Sequence, residues 1–376
     1  MRVLLIDQIA KVNYKYTFPL ANALKKAGVD IEIVIDQKTE KENCLCERIR
    51  LFNTDEKGIG KFQKLINYIE SYIQIGKILK NENIDVLHTE WYTFSPIDYY
   101  FLKKYKNKYG LKYVATVHDI LPFNEKKYDK HFHQKLYTLA DKIILQAPAN
   151  IQRFAELFPE NSSKTKMIPH GHMLDYVQME DKKKSRERLG IPQDKIVFLF
   201  FGQIKKVKGV DVLLKAVLKL REKYPNAYTV IAGSVWKADF SECQDIIDSN
   251  DMNDCLKTDI RYIPDEEVKY FYSAADVCVL PYTDVYQSGV IQLAYGYKKA
   301  VVSTTLPAFT QFVKENETGF LAVPSDVDSL ESAMEHAIIS KDRLEQIGLA
   351  GYEMVKKKLN WDDIAKRIIK ECYETK

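Results

Sequence analysis

A chain of 376 residues, 46% hydrophobic and 29% charged, is large enough for two domains of ordinary size and has the composition of a folded globular protein. No apolar run approaches the ~20 residues of a bilayer span, and Asp7 interrupts the opening MRVLLIDQ too early for a signal peptide, so the cytoplasm is the expected location. The six cysteines lack paired CxxC spacing, which speaks for reduced thiols and against a zinc site.

In chain order, short β-rich runs alternate with amphipathic stretches. RVLLI (2–6) precedes a helical pattern over 18–28, with Pro19 suited to a first turn and Gly28 to a C-terminal cap. IEIVI (31–35), an amphipathic stretch over 61–80, IDVLHT (84–89), YVATVH (113–118), KIILQ (142–146) and KMIPHG (166–171) follow. Short buried strands separated by helix-length segments predict βαβ units and a parallel sheet. Residues 175–195 are highly charged, end in Gly-Ile-Pro and read as a linker. A second alternation then runs through KIVFLFFG (195–202), helix 208–224, YTVIAG (228–233), IRYI (260–263), helix 265–274, DVCVLP (276–281), helix 288–297, AVVS (300–303) and GFLAV (319–323). The expectation is an α/β protein of two doubly wound, Rossmann-like domains, residues 1–174 and 190–359, facing a central cleft, with the final helix 360–376 packing back on the first.

Charge is uneven along this path. Residues 1–170 hold 27 Lys/Arg against 20 Asp/Glu, and the remainder 29 against 32. The basic half interleaves lysine with aromatics in KKYKNKYGLKY (103–113) and EKKYDKHFHQK (125–135). That pattern suits a solvated surface or an anionic lipid face; no nucleic-acid-binding motif accompanies it.

In open α/β sheets ligands bind beyond the carboxyl ends of the strands, so the loops after strands matter most. In FFGQIKKVKGVDVLLKA (200–216), a strand ends at Gly202, the loop carries Lys205, Lys206 and Lys208, and Gly209 opens a helix. Glycine admits a ligand to the backbone, and lysines beside a helix N-terminus suit an anion. Neither GxxxxGK[ST] nor GxGxxG is present. In YTDVYQSGVIQLAYG (282–296), Ser288-Gly289 open another helix after a loop with one acid, Asp284, and no base. Free backbone N–H groups there, with Gln287 and the Ser288 hydroxyl, can hold sugar or phosphate oxygens, and the 200–209 lysines can supply the countercharge. A diphosphate gripped by two helix starts and two lysines is the sharp expectation; an ordinary serine cap is the plain one.

The order FGQIKKVKGVDVLLKA … YIPDEEVKYFYSAADVCVLPYTDVYQSGVIQLAYGYKKAVVSTTLPAF … ETGFLAV resembles the donor domain of GT-B glycosyltransferases of family 4. ATVHDILP (115–122) and MIPHG (167–171) extend the resemblance more loosely to the first half. The resemblance implies that Lys205 and Lys208 grip the diphosphate of a nucleotide-sugar. Gly202, Gln203 and the helix mouth Gln287, Ser288, Gly289 and Val290 would complete the donor site. It places His118 beside the donor sugar at the reaction centre. Where many members carry two glutamates eight residues apart, this chain has Tyr286 and Ala294, which places it in a QSGV branch. Gln203 stands where arginine is common, and Lys298, Lys299 and Ala300 replace the commoner Gly-Lys-Pro.

Asp119, His170, Glu90 and Trp91 also follow strands and are candidates for the acceptor side. Asp7, ending the first strand, is a base candidate if the anomeric centre inverts. His131 and His133, two apart, fall on different sides of a helix and suggest no metal. The implied activity is transfer of a sugar from a UDP- or GDP-sugar to a glycan acceptor, lipid-linked and destined for cell-surface polysaccharide. The family suggests retention, no cofactor and no metal, and the lysine-rich half suggests peripheral contact with the inner membrane face. The alternatives are a non-catalytic nucleotide-sugar-binding partner of another transferase, an inverting GT-B enzyme, and an epimerase on the same fold.

Overall fold

The computed structural model describes residues 1–39, 44–53, 58–122, 125–236, 240–285 and 289–374. The chain divides into two compact units, Met1–Gly171 with Leu359–Lys376, and His172–Lys358.

The first unit is built on β1 (Arg2–Ile6), β2 (Asp30–Asp36), β3 (Glu47–Phe52), β4 (Val86–Thr89), β5 (Lys112–Val117), β6 (Lys142–Leu145) and β7 (Thr165–Met167). They form one sheet in the order β3-β2-β1-β4-β5-β6-β7. Every pairing is parallel, so the strands need cover on both faces, and β1 and β4 are correspondingly buried, β4 carrying the polar His88 and Thr89 inward with it. On one face Leu4, Tyr68, Tyr72, Tyr105, Tyr113, Phe154 and Phe158 belong to a single core cluster. The strand order reverses between β1 and β4, which places the crevice of this sheet at the loops after those strands.

The first helix departs from expectation. It spans Ala10–Lys26, eight residues earlier than 18, and Pro19 lies inside it. Two things outweigh the proline's lost hydrogen bond. Asp36, at the end of β2, accepts from Lys11 N at 2.6 Å in the first turn, and Asp7 accepts from the Ile9 amide at 3.0 Å just ahead of it. Tyr14, Tyr16, Thr17 and Phe18 all bury a face ahead of Pro19. Strand β3 has partly polar, half-exposed residues at the sheet's edge and gave no apolar run to find.

The second unit carries β8 (Ile196–Phe201), β9 (Ala227–Ala232), β10 (Leu256–Asp259), β11 (Val277–Leu280), β12 (Ala300–Thr304) and β13 (Gly319–Ala322). Their order is β10-β9-β8-β11-β12-β13, again wholly parallel, with the reversal between β8 and β11. The expected strand at 260–263 lies four residues upstream, where Leu256 is buried and Asp259 accepts from Gly233 N at 3.0 Å.

Residues 175–195 are not a bare linker. Lys182–Leu189 form a helix with Asp181 as its cap, accepting from Lys184 N at 2.8 Å. The reason is Arg186, only 2% exposed, which donates to the Ala274, Gln193 and Lys195 carbonyls and pairs with Asp276 at 2.7 Å. A charge within the stretch read from sequence as a linker is instead a buried, fully bonded tie to the strand β11 entrance. Among the described residues no helix is long and apolar enough to cross a membrane.

Candidate functional site

The second unit places its candidates at the switch point. Gly202 follows β8 with φ +127°. A Cβ there would stand 3.6 Å from Val290 Cγ2, so the Gly202 turn and the start of helix Gly289–Gly296 are neighbours. Gly233, after β9, approaches so closely that a Cβ would lie 1.9 Å from the Gly202 carbonyl oxygen. The bridge Ile204–Val235 and the 2.9 Å bond from Ile204 N to Ser234 O hold the two loops together.

From Lys205 the chain makes one tight turn, Lys206–Lys208, closed by Lys208 N to Lys205 O at 2.9 Å. Gly209 then adopts φ +64° and starts helix Val210–Lys223. A Cβ on Gly209 would lie 2.0 Å from the Pro281 carbonyl oxygen, so the loop after β8 is pressed against the loop after β11. Thr283 N donates to Val207 O at 2.9 Å across the same seam.

Lys208 Nζ sits 3.6 Å from the centre of the buried Tyr282 ring. Burial, then the nearby charge of Lys205, pulls the Lys208 ammonium down to about 8. A lysine held half-desolvated beside a second lysine gains most from a bound anion. Gln203 is exposed and Lys206 is exposed, whereas Lys205 and Lys208 are half-buried. Gln287 and Ser288 lie outside the described residues; Gly289 and Val290 open the helix as described above.

The first unit gathers its candidates at its own switch point. Asp7 follows β1 and is fully buried. Both its oxygens are engaged: Ile9 N on Oδ1, and Asn13 Nδ2 at 3.1 Å and Thr17 Oγ1 at 2.5 Å on Oδ2. Burial first, with the neighbouring Glu90 adding, lifts it to about 6. This is the bonding of a helix-start anchor.

Glu90, after β4, is 1% exposed, and burial holds its carboxyl well above the ordinary range. Its Oε2 stands 2.7 Å from His118 Nε2, while Oε1 is buried without a protein hydrogen-bond partner. His118 is stacked on Trp91, ring centres 4.8 Å apart, and meets the edge of Tyr16 at 4.7 Å. Burial drives it down to about 4, so it is neutral at pH 7. Tyr16 also packs on His170 at 4.8 Å and Trp361 at 5.4 Å. His170 Nδ1 donates to Gly171 O, 2.6 Å away, and burial holds the ring to about 4.

Behind Glu90, His88 joins Tyr373 at 2.7 Å and Thr116 at 2.8 Å, and burial lowers it to about 3. The C-terminal segment therefore supplies two aromatic walls, Trp361 and Tyr373. Asp119 is exposed at the rim. His131 is exposed and His133 buried, with Nδ1 on Asp129 O at 2.9 Å. Tyr16, Thr17, Asn13, Tyr282, Trp361 and Tyr373 were not singled out from sequence. The signal for Asn13 and Thr17 was Asp7 followed by donors six and ten residues on, which one helix starting at Ala10 brings over it.

Two all-parallel, doubly wound sheets, each with its candidate residues at the point of strand reversal, define a two-domain Rossmann-like protein of the GT-B class. Comparison with known families agrees. The model Glycosyltransferase Family 4 matches residues 15–176, and Glycosyl transferases group 1 matches 181–354. The chain belongs to the family 4 glycosyltransferases. It is 27% identical over 237 residues to the lipopolysaccharide 1,2-N-acetylglucosaminetransferase of Salmonella typhimurium, covering 60% of each chain. It is 21% identical over 365 residues to a D-inositol 3-phosphate glycosyltransferase of Corynebacterium diphtheriae, covering 90% of this chain and 84% of that one. The chain spans about half to two thirds of the length of several curated relatives, 48%, 60% and 66% in three cases. Among solved structures, Anabaena HepE in complex with UDP matches with TM-score 0.72 at 16% identity, covering 98% of this chain and 99% of that one. A glycosyltransferase from Rickettsia africae matches with TM-score 0.73 at 18% identity, covering 99% and 97%.

Proposed function

We propose that the protein transfers a sugar from a nucleotide-sugar, by preference a UDP-sugar, to a glycan acceptor, with retention and without a metal ion. The observation that carries this reading is the meeting of the Gly202 turn, Lys205, Lys208 and the Gly289–Val290 helix start at the second sheet's switch point. Breaking the anomeric bond builds negative charge on the departing diphosphate. Two ammonium groups and fixed amides aimed at that charge stabilise it, and one such donor is worth ~3–4 kcal/mol. The similarly folded Anabaena HepE, whose structure holds UDP, supports the choice of nucleotide. Retention fits an Asp7 whose lone pairs are already occupied by its helix.

We place the acceptor on the first unit, against Glu90, Trp91 and His118. The similarity to a lipopolysaccharide enzyme supports a lipid-linked acceptor in cell-surface glycan synthesis at the cytoplasmic face. The first unit also groups lysines over aromatic rings on helices Ser95–Tyr109 and Asp129–Leu139. Lys103 and Lys135 cover Tyr99, Lys135 covers Phe132, and Lys126 covers the exposed Tyr128. Such a face suits peripheral contact with anionic headgroups.

The test is turnover of a panel of UDP- and GDP-sugars with lipid-diphosphate oligosaccharides that end in a neutral sugar, in the presence of EDTA, with the product anomer read by NMR. A retained-anomer product in EDTA supports the proposal. Donor binding with no turnover across the panel would make the chain a binding partner instead; an inverted anomer would reopen the role of Asp7.

A further inference from the structure

The first unit contains a cavity of about 300 Å³ whose lining includes Glu90, Trp91, Tyr92, His118, Asp119 and Tyr137. We propose that it seats a single uncharged, hydroxyl-bearing ring, a neutral sugar or polyol unit of the acceptor, and rejects phosphorylated or otherwise anionic rings. This rests on the transferase reading and narrows its acceptor class.

Size comes first. The volume stands at the low end of ligand pockets, ~300–1,000 Å³, and so admits one ring rather than an extended chain.

Charge comes second. Neither lysine nor arginine is among the described residues that line it, and Asp119 is at its rim. His118 is neutral because burial holds it to about 4, and burial lowers His133 as well. A phosphate or carboxylate entering here would be desolvated with no cation to receive it.

Hydrogen-bonding supply comes third. Two buried polar atoms on the lining residues have no protein hydrogen-bond partner, Glu90 Oε1, which stands 3.7 Å from the neutral His88 ring, and Trp91 Nε1. The first needs a donor and the second is a donor only. Whether the Glu90–His118 proton sits on carboxyl or imidazole, the 2.7 Å bond engages Oε2 and leaves Oε1 as an acceptor. A hydroxyl both donates and accepts, so one or two ring hydroxyls satisfy both atoms. A phosphate dianion satisfies Trp91 alone and opposes Glu90 Oε1. Aromatic walls from Tyr92, Tyr137 and Trp91 suit the C–H faces of the same ring.

The experiment is saturation-transfer NMR on the full chain, with and without UDP. The probes are methyl glucoside, methyl galactoside, methyl mannoside, methyl N-acetylglucosaminide and myo-inositol against glucose 6-phosphate, inositol 1-phosphate and methyl glucuronide. At least one neutral probe should bind, each anionic one at least tenfold more weakly than its neutral parent. Trp91→Phe, which keeps the ring but removes the N–H, should weaken the neutral probe about tenfold, and Glu90→Gln by a similar factor. Anionic probes binding as well as neutral ones, no neutral probe binding up to 50 mM (~50-fold above a 1 mM Kd), or binding indifferent to Trp91→Phe would each overturn the proposal. UDP titration of the same samples separates the two readings. UDP binding without ring binding sinks only this inference, whereas loss of UDP binding sinks the donor site beneath it.

Discussion

Replacing Lys208 by alanine tests the donor site through a group whose environment is unusual. Its Nζ is packed 3.6 Å from the Tyr282 ring centre and burial holds its titration to about 8. A half-buried, charge-assisted contact to a diphosphate is worth ~1.5–3 kcal/mol, so Lys208→Ala should raise the Kd for UDP roughly 10- to 150-fold at pH 7. Lys206, exposed in the same loop, should cost under ~1 kcal/mol, less than about fivefold. The titration gives a second, independent magnitude. If only the ammonium form grips the diphosphate, the apparent Kd is multiplied by 1 + 10 raised to (pH − 8). That factor is about 1.1 at pH 7 and about 11 at pH 9, a roughly tenfold loss of affinity. The terminal phosphate of UDP has already ionised by pH 7, with its pKa near ~6, and does not contribute. Isothermal titration of wild type and Lys208→Ala at pH 7 and 9 reads both effects. The variant should be weak and pH-independent over this range. A wild-type affinity flat from pH 7 to 9, or equal small losses for Lys206→Ala and Lys208→Ala, would refute the reasoning.

Further expectations follow from the same contacts. His118→Asn should leave UDP affinity unchanged, because UDP is assigned to the other unit, yet lower turnover ~10²–10³-fold, the effect of removing one donor at a reaction centre; equal turnover would remove His118 from the reaction. Gly209→Ala forces a Cβ to 2.0 Å from Pro281 O at φ +64°, and urea unfolding should show a loss of at least ~2 kcal/mol; an unchanged midpoint would mean that the two loops separate freely. Arg186→Met leaves three carbonyls without their donor, while Lys182 at 2.5 Å and Val197 N at 2.7 Å still bond Asp276, so the same assay should show a loss of ~1–3 kcal/mol; an unchanged midpoint would show that the tie is dispensable. Burial should keep three histidines of the first unit neutral. His88, His118 and His170 titrate near 3, 4 and 4 when folded but near ~6.5 when unfolded, so each contributes stability that is lost as pH drops from 6.5 toward 4. Asp7 and Asp98, each lifted to about 6, and Glu90 act in the opposite sense, since their folded forms bind protons first, and offset that loss. The three imidazoles should therefore keep neutral NMR shifts at pH ~5.5, and a charged imidazole there would contradict it.

Much of this architecture could be read from the chain itself, for reasons visible in particular residues. Strands buried on both faces, such as VLLI and VFLF, are apolar without alternation, which is why β1 and β8 stood out. Gly202 and Gly209 marked the donor loop because both sit at positive φ, Gly209 pressed against the Pro281 backbone. Strand β3 was invisible because its edge position leaves Glu47 and Arg50 in water. The early start of the first helix was hidden because Asp36, which accepts from its first turn, lies on another strand, and Asn13 and Thr17 are brought over Asp7 only by the helix itself. The charged stretch around Arg186 looked solvated because its partners, Ala274 and Asp276, are some ninety residues away. Likewise, nothing local in EWYTF shows that Glu90 meets His118 across β4 and β5; parallel pairing of those strands does.

The account stands or falls on where the diphosphate sits. A crystal soaked with UDP in EDTA should show its phosphate oxygens within ~3 Å of Lys208 Nζ and of the Gly289–Val290 amides, beside the Gly202 turn, with no metal ion between them. Phosphates lodged away from the 202–209 turn, or held there only when a divalent cation is supplied, would contradict it.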